Sequence, residues 1–464
     1  MVFGSSESLF RIVAIASVSG CLTGCKIHLV EQSPVPAVIG PVQFSVVERE
    51  QRVEHAPRRV WWSEFQNQEL GVFINQSLEN NWSIAQAAAR MREAQSEQRK
   101  AKAAPLPAID LGGGFKGDIK GIGTEEESSW ELRRGVSLTW EIDLWNRLGS
   151  AIDATEFEAQ ARAADHEAVR LLVSAEVARS YYDAVEQQRL LKILSNQLET
   201  NRTLRELTEL RFDQAGASAV DVFQQRQQLE ATHEQVTIAK GFLRVAENRL
   251  DVLRGNASDG ADSVTQSSFP KLSAAPTVGV PANLLVRRPD LRALQLQLVS
   301  EDYRIAEAIA DRLPRVGIGA SLEYAESALT GDLIRTAVAD AVQPLIDWGE
   351  RKAEVERRRA VFDEQLARFT EAYLVAIEEV ENLIYLGRRQ QDRLSSLIHQ
   401  RDLSSRTLEE ARNRYSNGLT DYLPVLDSVQ TLQRIERQVI AQQRGLIENR
   451  IALHLAIGGS LKDS

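Results

Sequence analysis

The chain has 464 residues, only 13 prolines and a formal net charge of −10. The acidic balance argues against nucleic-acid binding, which needs a basic face. The few prolines, with many Ala, Leu, Glu, Gln and Arg residues, favour long helices, and no run of about 18 apolar residues could form a bilayer-spanning helix. Six scattered histidines, and no recognisable nucleotide-binding or nucleophile motif, give no basis for an enzyme, a metal site or a cofactor.

The N-terminus is typical of a secretory signal peptide, with a short start, an apolar segment and then small residues. Both cysteines of the chain, Cys21 and Cys25, end a tetrapeptide of lipobox type. The pattern resembles bacterial lipoprotein signals, in which the cysteine is lipidated and becomes the new N-terminus. Cys25 is the better candidate, because Leu22 stands three residues before it, and Cys21 is the alternative. The competing interpretation is an ordinary signal peptide with incidental cysteines.

The chain matches itself at one spacing of 203 residues, which predicts two halves of the same design. The matched pairs are Trp145 and Trp348, Val177 and Val380, Leu191 and Leu394, Leu194 and Leu397, Arg211 and Arg414, Val222 and Val425, Leu229 and Leu432, Leu250 and Leu453, and Gly255 and Gly458. Leucine matches arise by chance in such a composition. Matched tryptophan, arginine and terminal glycine residues at one offset do not.

Each half is predicted to contain the same elements in the same order. A helix ends at a Leu-Pro, two strands follow, and then come a very long helix, a turn with glycine and a helix of moderate length. The first two helices of each half are expected at about 83–104 and 150–213, and at about 289–312 and 350–416. The turns contain Gly216 and Gly418, and the last helices end near Gly255 and Gly458.

The long helices are unusual for a globular protein. At 1.5 Å per residue, about 64 residues form a rod of roughly 95 Å, against a usual helix of about 12 residues. Such a rod cannot bury its own apolar positions, which must therefore face neighbouring helices as in a coiled coil. On the helices alone, a coiled-coil scaffold is the favoured interpretation.

The strands argue against a simple scaffold. From Trp130 to Trp145 apolar and polar residues alternate, with Arg134 the one polar residue of the apolar set, so the two sets lie on opposite faces of a strand. The stretches AIDLGGGF, VGIGASLEY and IRTAVADAVQPLID supply three more strands. The apolar set of the last strand is predicted to be Ile334, Val338 and Val342. Asp340 falls in register with that set, so either a bulge shifts the register or the strand is misassigned.

Four such strands suit a membrane barrel but cannot close one. A membrane strand needs about 9–11 residues, an open edge in lipid leaves backbone groups unpaired, and bacterial barrels begin at about eight strands. Three chains would supply twelve strands, with the apolar faces toward lipid and the polar faces toward a wet lumen. Trp130, Trp140 and Trp145 would then suit an aromatic belt at the membrane interface.

Six segments resemble outer-membrane efflux proteins of the TolC/OprM type, in the lipoprotein branch that serves resistance-nodulation-division pumps. The segments are 59–94, 140–149, 286–298, 344–349, 414–427 and the terminal ALHLAIGG. The resemblance covers nearly the whole chain, and the Arg-Arg-Pro-Asp at 287–290 is quite specific, although it is also sound helix-start chemistry. Two features depart from the family: the usual Gly-Pro after the lipid-bearing cysteine is missing, and the first turn carries its glycine one residue later than the second.

The resemblance implies a mainly α fold with a β-barrel part. It consists of a long α-helical coiled-coil barrel and four membrane strands per chain, with a twelve-stranded barrel in a homotrimer and an internal twofold repeat. Such proteins are passive ducts for drugs or small molecules, lipid-anchored in the outer membrane with a large periplasmic part. They dock with a periplasmic adaptor and an inner-membrane resistance-nodulation-division pump. The predicted domains are a signal peptide (1–24), an N-terminal extended segment and equatorial region (25–82), a first repeat (83–258), a linker (259–285) and a second repeat (286–464).

The resemblance also implies a periplasmic gate at the turn after the second long helix. Leu419, Leu423 and Asp427 recur every four residues, so the helical part of the set shares one face. Around a threefold axis, two leucine rings would exclude water and one aspartate ring would attract cations. Asp421 is expected to cap the following helix. The competing interpretation is that the leucines only pack the helical hairpin and Asp427 is solvated. The residues expected to support the turns are Arg414, Tyr415, Gly418, Arg211, Phe212 and Gly216.

Two other functions fit part of the pattern. A type I secretion duct, which exports a protein, would have a similar architecture, but the lipobox favours the efflux branch. A periplasmic adaptor or coiled-coil scaffold would have one helical hairpin flanked by lipoyl-like and small β-barrel domains. Two long-helix units, each preceded by amphipathic strands, do not fit that plan.

Overall fold

The computed structural model describes residues 27–38, 40–41, 43–45, 60–120, 127–260, 264–272, 276, 278, 280–327 and 331–461. The predicted lipidation site, Cys25, and its alternative, Cys21, lie outside these residues. The described part of the chain is mainly helical and contains one sheet of four strands.

The helices have nearly the predicted bounds. They are α1 (Gln68–Asn80), α2 (Trp82–Ala103), α3 (Arg147–Asp213), α4 (Ala219–Leu253), α5 (Leu284–Arg287), α6 (Pro289–Ala310), α7 (Glu350–Ser416) and α8 (Leu423–Ala456), with 3₁₀ turns at Trp61–Phe65 and Pro281–Asn283. The two long helices, α3 and α7, each have 67 residues. Within the described residues, no helix is both long and apolar enough to cross a membrane.

The four predicted strands form one antiparallel sheet in the order of the sequence. They are β1 (Ala108–Lys120), β2 (Glu127–Ile142), β3 (Arg315–Ser327) and β4 (Gly331–Val342). Each neighbouring pair is aligned without interruption over at least twelve residue pairs. The first and last strands of the order, β1 and β4, are the two edges of the sheet.

The strand register gathers the apolar side chains on one side of the sheet, which we call the apolar face. Directly paired residues share a face, and successive residues alternate between faces. The apolar face comprises Ile109, Leu111 and Phe115 of β1, Trp130, Leu132, Val136, Leu138, Trp140 and Ile142 of β2, and Val316, Ile318, Ala320, Leu322 and Tyr324 of β3. The opposite side, the polar face, carries residues such as Glu131, Ser137, Ser321 and Glu323. The alternation predicted for β2 is therefore confirmed.

The face predicted for β4 is wrong. Ala339 pairs with Ile318, so the small residues of this strand lie on the apolar face. Asp340 pairs with Gly317 and lies on the polar face, as do Ile334, Val338 and Val342. A Cβ on Gly317 would lie 2.9 Å from the Asp340 Oδ1, so the glycine makes room for the carboxylate. No bulge is needed, and the error arose because alanines mark an apolar face less clearly than valine and isoleucine.

The described residues divide into two compact units. One contains the segments up to Val38, Ala89–Ala164 and Arg292–Glu371, and it includes the whole sheet. Its apolar cluster is formed by Ala154, Val299 and Tyr303, with Phe157 stacked on Tyr303 at 5.5 Å between ring centroids.

The other unit contains Ile39–Ala88, Asp165–Leu291 and the chain from Ala372 onward. Its largest core cluster includes the aromatic side chains Trp61, Trp62, Phe65, Phe73, Tyr181 and Tyr182. A separate cluster lies at the ends of the long helices and includes Leu204, Leu408, Tyr415, Tyr422, Val425, Leu426 and Val429.

Gly255 and Gly458, which stand 203 residues apart, end α4 and α8 with φ of 83° and 71°. A Cβ on either glycine would lie 2.4 Å from a backbone oxygen, that of Asn80 or of Arg287. Both the left-handed backbone and the close approach exclude a side chain. Each helix therefore ends where another backbone segment crosses it.

Candidate functional site

The turn between α7 and α8 closes with a left-handed glycine. Gly418 has φ of 69°. Its N–H donates to the Tyr415 carbonyl at 3.0 Å, and the Leu419 N–H donates to the Arg414 carbonyl at 2.9 Å. This pair of bonds is a Schellman motif, which satisfies the last carbonyls of the helix.

The turn between α3 and α4 has the same hydrogen bonds, but its left-handed residue is Ala215, with φ of 57°. The Gly216 N–H donates to the Arg211 carbonyl at 2.7 Å, and the Ala215 N–H donates to the Phe212 carbonyl at 2.9 Å. Ala215 and Gly418 stand 203 residues apart. The later glycine noticed in the sequence, Gly216, therefore follows the left-handed position instead of filling it.

Arg211 joins the ends of the two long helices. Its Nη1 donates to the Tyr415 carbonyl at 2.6 Å, and its guanidinium lies 4.3 Å from the centre of the Tyr415 ring. Tyr415 is buried and makes an edge contact with Tyr422, with 5.6 Å between ring centroids. Of the predicted turn-supporting residues, Arg211 and Tyr415 are thus in contact, whereas the side chains of Phe212 and Arg414 are exposed.

A buried polar network connects the α3–α4 hairpin to α8. The Tyr422 hydroxyl donates to the Gln225 Oε1, and the Gln225 Nε2 donates to the Asn201 carbonyl at 2.9 Å. The Asn201 side chain donates to the Thr232 hydroxyl at 2.8 Å and accepts from the Gln433 Nε2 at 3.0 Å. Burial raises the pKa of Tyr422, which keeps its hydroxyl protonated as a donor.

This network was not among the predictions, although the sequence contains a signal for it. On α3, Leu194, Gln197, Asn201, Leu204 and Thr208 follow the alternating three- and four-residue spacing of a coiled-coil seam, and all five are buried. Polar residues at seam positions need partners, because an unpaired buried polar group is costly. Polar side chains at these positions could therefore have pointed to a buried network.

Leu419, Leu423 and Asp427 lie at the end of the α7–α8 hairpin, outside its core. Leu419 is 69% exposed and Leu423 is 63% exposed, and Asp427 is also exposed. The hairpin core is filled by other residues, including Tyr415, Tyr422 and the buried valines of α8. Within one chain, the two leucines therefore do not pack the hairpin.

The predicted cap of α8 is wrong. The helix begins at Leu423, with Tyr422 as its N-cap residue, and no side chain caps it. At the equivalent start of α4, the Ser218 hydroxyl accepts from the Asp221 N–H at 3.2 Å, and the Asp221 carboxylate accepts from the Ser218 N–H at 2.9 Å. Ser218 stands 203 residues before Asp421. The capping box thus occurs in the first hairpin and not in the second.

The three tryptophans predicted for a membrane belt lie at both ends of the sheet. Trp130 is 65% exposed on the apolar face, near the end of β2 that connects to β1. Trp140 donates from its Nε1 to the Pro105 carbonyl at 2.9 Å, and Trp145 donates to the Pro314 carbonyl at 2.8 Å. Trp140 and Trp145 therefore fix the two points at which helices lead into strands.

The family model of outer membrane efflux proteins matches residues 73–256 and 280–459. The chain belongs to this family. The resemblance found in the sequence is confirmed, and the protein is an outer-membrane duct for efflux. No group of three or more His, Cys, Asp or Glu residues that could hold a metal ion is found within the described residues.

Relatives and solved structures agree over most of the chain. The pyoverdine export outer membrane protein OpmQ of Pseudomonas putida is 25% identical over 433 residues, covering 88% of this chain and 89% of the relative. The cation efflux system protein CusC of Escherichia coli K12 is 23% identical over 453 residues, covering 95% and 98%. The outer-membrane channel OprN has a TM-score of 0.86 at 23% identity, covering 94% of this chain and 99% of the other. The CmeC channel of Campylobacter jejuni has a TM-score of 0.84 at 18% identity, covering 94% and 96%.

Proposed function

We propose that this efflux duct is a passive homotrimer, in which three copies of the four-stranded sheet close a twelve-stranded barrel. The observation that carries the proposal is the pair of sheet edges. Among the described residues, β1 pairs only with β2 and β4 only with β3, so strands of 13 and 12 residues each leave one side unpaired. Unpaired backbone groups in lipid cost several kcal/mol each, so these edges require partners from other copies.

The direction of the strands permits this closure. In an antiparallel sheet of four strands β1 and β4 run in opposite directions, so β4 of one copy can pair antiparallel with β1 of the next. Two copies would give eight strands, and an interior of that size is filled by side chains. Three copies give twelve strands and a wider lumen, with the apolar face toward lipid and the polar face toward water.

Cysteine cross-linking tests the closure. The chain has no cysteine after position 25, so introduced cysteines report single contacts. Gly112→Cys on β1 is combined with Thr336→Cys, Val338→Cys or Asp340→Cys on β4, all on the polar face. We expect at least one pair to form covalent trimers after oxidation. Monomers or dimers from all three pairs would contradict the proposal.

The matched control is Ser137→Cys with Ser321→Cys, which are directly paired between β2 and β3 within one copy. This pair should close within the chain and leave the mass of one chain unchanged. Covalent trimers from this control would show non-specific cross-linking.

The proposal places the gate at Leu419, Leu423 and Asp427. Two observations support this placement. Both leucines are exposed, and the apolar core of the hairpin is formed by other residues. Around a threefold axis, leucine rings block ions by excluding water, and a ring of carboxylates attracts cations. Opening the gate then requires the two hairpins to separate at Arg211, Tyr422 and the buried network, which an adaptor bound at the tip would bring about.

Planar-bilayer conductance tests the gate. Leu419→Ser combined with Leu423→Ser should raise the conductance, and Asp427→Ala should lower the preference for cations. Phe223→Ser, at an apolar residue of α4 that is 65% exposed, is the matched control and should conduct like the wild type. If the gate variants form trimers and also conduct like the wild type, the constriction lies elsewhere.

The proposal includes a lipid anchor at Cys25 and docking with a periplasmic adaptor and a resistance-nodulation-division pump. The segment after Cys25 supports the anchor, because His28 Nε2 lies 2.6 Å from the Asp302 Oδ1 and the Glu31 N–H donates to Asp302 at 3.1 Å. Asp302 belongs to α6, which ends five residues before β3 begins at Arg315. Mass spectrometry of the mature N-terminus should find an acylated Cys25. A start at Cys21 or an unmodified cysteine would overturn the assignment.

A further inference from the structure

The charged residues on the apolar face of the sheet are confined to three neighbouring rows, near the end of the sheet away from the helices. Among the described strand residues, the charged residues on this face are Arg134, Glu326 and Arg335. They occupy three consecutive rows of paired residues. The rows are Leu111–Val136–Leu322–Arg335, Gly113–Arg134–Tyr324–Leu333 and Phe115–Leu132–Glu326–Gly331. The rows toward the helices contain no charge on this face.

The local contacts leave a net positive charge. The Arg134 Nη2 donates to the Glu326 Oε2 at 3.0 Å, and the Arg134 guanidinium lies 5.4 Å from the centre of the Tyr324 ring. Arg335 is exposed and makes no hydrogen bond or ion pair within the part of the chain that the structure describes. Gly113, the neighbour of Arg134 on β1, has no side chain, so the guanidinium is open from that side.

The height of these residues along the proposed barrel places their side chains within reach of the lipid headgroups. Along β2, Val136 and Arg134 lie six and eight residues from Ile142, which is about 20 and 26 Å at 3.3 Å per residue. With strands tilted by about 40°, the corresponding heights are about 15 and 20 Å, against an apolar band of about 25 Å. Long arginine side chains reach the interface from that depth. In the proposed barrel this end of the sheet, away from the helices, lies in the outer leaflet.

We propose that Arg134 and Arg335, with Tyr324 between them, form a binding site for the phosphate groups of an anionic lipid in the outer leaflet. The inference rests on the proposed barrel, in which the apolar face meets lipid. Guanidinium groups bind phosphate through two parallel hydrogen bonds. From strand spacing, the Cα atoms of the two arginines are about 12 Å apart, so both side chains reach one headgroup. Glu326 orients Arg134, and no acid among the described residues neutralises Arg335.

Native mass spectrometry of the purified trimer tests the site, with bis-phosphorylated lipid A as the probe. Arg134→Gln and Arg335→Gln should each weaken binding by about tenfold, because each removes a charge-assisted contact. The matched control is Arg133→Gln. Arg133 is the next residue of the same strand, lies on the polar face and pairs with Glu131 at 2.8 Å. This variant should bind the lipid like the wild type.

Three outcomes would overturn the site. The first is that fully dephosphorylated lipid A binds as strongly as the phosphorylated lipid. The second is that Arg133→Gln weakens binding as much as Arg134→Gln or Arg335→Gln. The third is complete competition by inorganic phosphate, which would indicate a site for free phosphate. The trimer mass and the conductance of each variant are measured in parallel. If the trimer mass, the conductance and the lipid binding are all unchanged in the arginine variants, the lipid site is rejected and the proposed barrel stands. If the wild type forms no trimer, the proposed twelve-stranded barrel is rejected.

Discussion

Ala215 and Gly418 adopt the same left-handed backbone at the ends of the two long helices, with φ of 57° and 69°. For a residue with a Cβ this conformation costs about 1–2 kcal/mol, whereas glycine adopts it freely. The nearest atom to a Cβ on Gly418 would be the Arg211 Nη2 at 3.8 Å, so no clash adds to that cost. The cost of placing an alanine at position 418 therefore comes from the backbone conformation alone.

The single substitutions Gly418→Ala and Ala215→Gly should have opposite effects on the stability of their turns. Gly418→Ala should lower the free energy of local opening by about 1 kcal/mol, and Ala215→Gly should raise it by less than about 1 kcal/mol, because glycine also gains entropy in the open chain. Hydrogen exchange of the Leu419 and Gly216 amides, which close the two motifs, measures both changes. Effects of the same sign would contradict the argument.

The two tyrosines beside the turn differ in how their hydroxyls are satisfied. The Tyr422 hydroxyl donates to Gln225, whereas the Tyr415 hydroxyl is buried without a partner in the described part of the chain. Tyr422→Phe should therefore cost about 0.5–1.5 kcal/mol, and Tyr415→Phe should cost nothing. Hydrogen exchange over residues 415–433 compares the two variants. Equal losses in the two variants would contradict the assigned difference between the hydroxyl contacts of Tyr422 and Tyr415.

At the level of elements, the two hairpins differ at the start of their second helices. Ser218→Ala removes the capping box of α4 and should destabilise that helix start by about 1 kcal/mol. Asp421→Ala is the matched control, because no side chain caps α8. Limited proteolysis at the two turns should cleave the Ser218→Ala variant faster than the wild type. Faster cleavage of the Asp421→Ala variant would contradict the assigned caps.

The helices and their length could be predicted from the sequence, because composition, Leu-Pro breaks and glycines fix where long helices begin and end. The predicted bounds of α7 agree with the observed helix at both ends, and those of α3 differ by three residues at its start. The network of Asn201, Gln225, Tyr422 and Gln433 could not be predicted in the same way, because its partners come from three helices. Helix periodicity shows which face is buried, but it does not show which polar residues meet across that face.

At the level of the whole chain, distant segments are joined by single side chains. Glu69 of α1 accepts hydrogen bonds from the Tyr181 hydroxyl at 2.6 Å, from the Thr265 N–H at 2.9 Å and from the Gln266 N–H at 3.1 Å. Burial acts to raise the pKa of Glu69, but these hydrogen bonds together outweigh it and lower the pKa below the usual 4.5.

This lowered pKa predicts an acid-dependent loss of stability. A group with a lowered folded-state pKa stabilises the protein above its unfolded pKa, and the gain is lost as pH falls through the folded value. The difference in thermal midpoint between the wild type and Glu69→Gln should therefore be constant above about pH 5 and shrink below it. Glu79→Gln, at an exposed residue of the same helix, is the control. A difference that grows toward low pH would contradict the assignment.

The sheet shows where prediction from sequence fails. The alternation in β2 was clear, because tryptophan, leucine and isoleucine mark one face. In β4 three of the six residues on the apolar face are alanines, and Ile334, Val338 and Val342 lie on the polar face, so hydrophobicity alone indicates the wrong face. The pairing with β3 decides the face of β4, and that pairing is a long-range fact that a single strand does not contain.

The central pairing of the sheet joins β2 to β3, and its nearest partners, Ile142 and Val316, are 174 residues apart in the sequence. At a synthesis rate of about 5–20 residues per second, β3 emerges roughly 10–35 s after β2. During that delay the β1–β2 hairpin has an apolar face and two open edges, and a two-stranded hairpin is at best marginally stable in water. The cell must therefore shield the first hairpin for many seconds before its neighbour in the sheet exists.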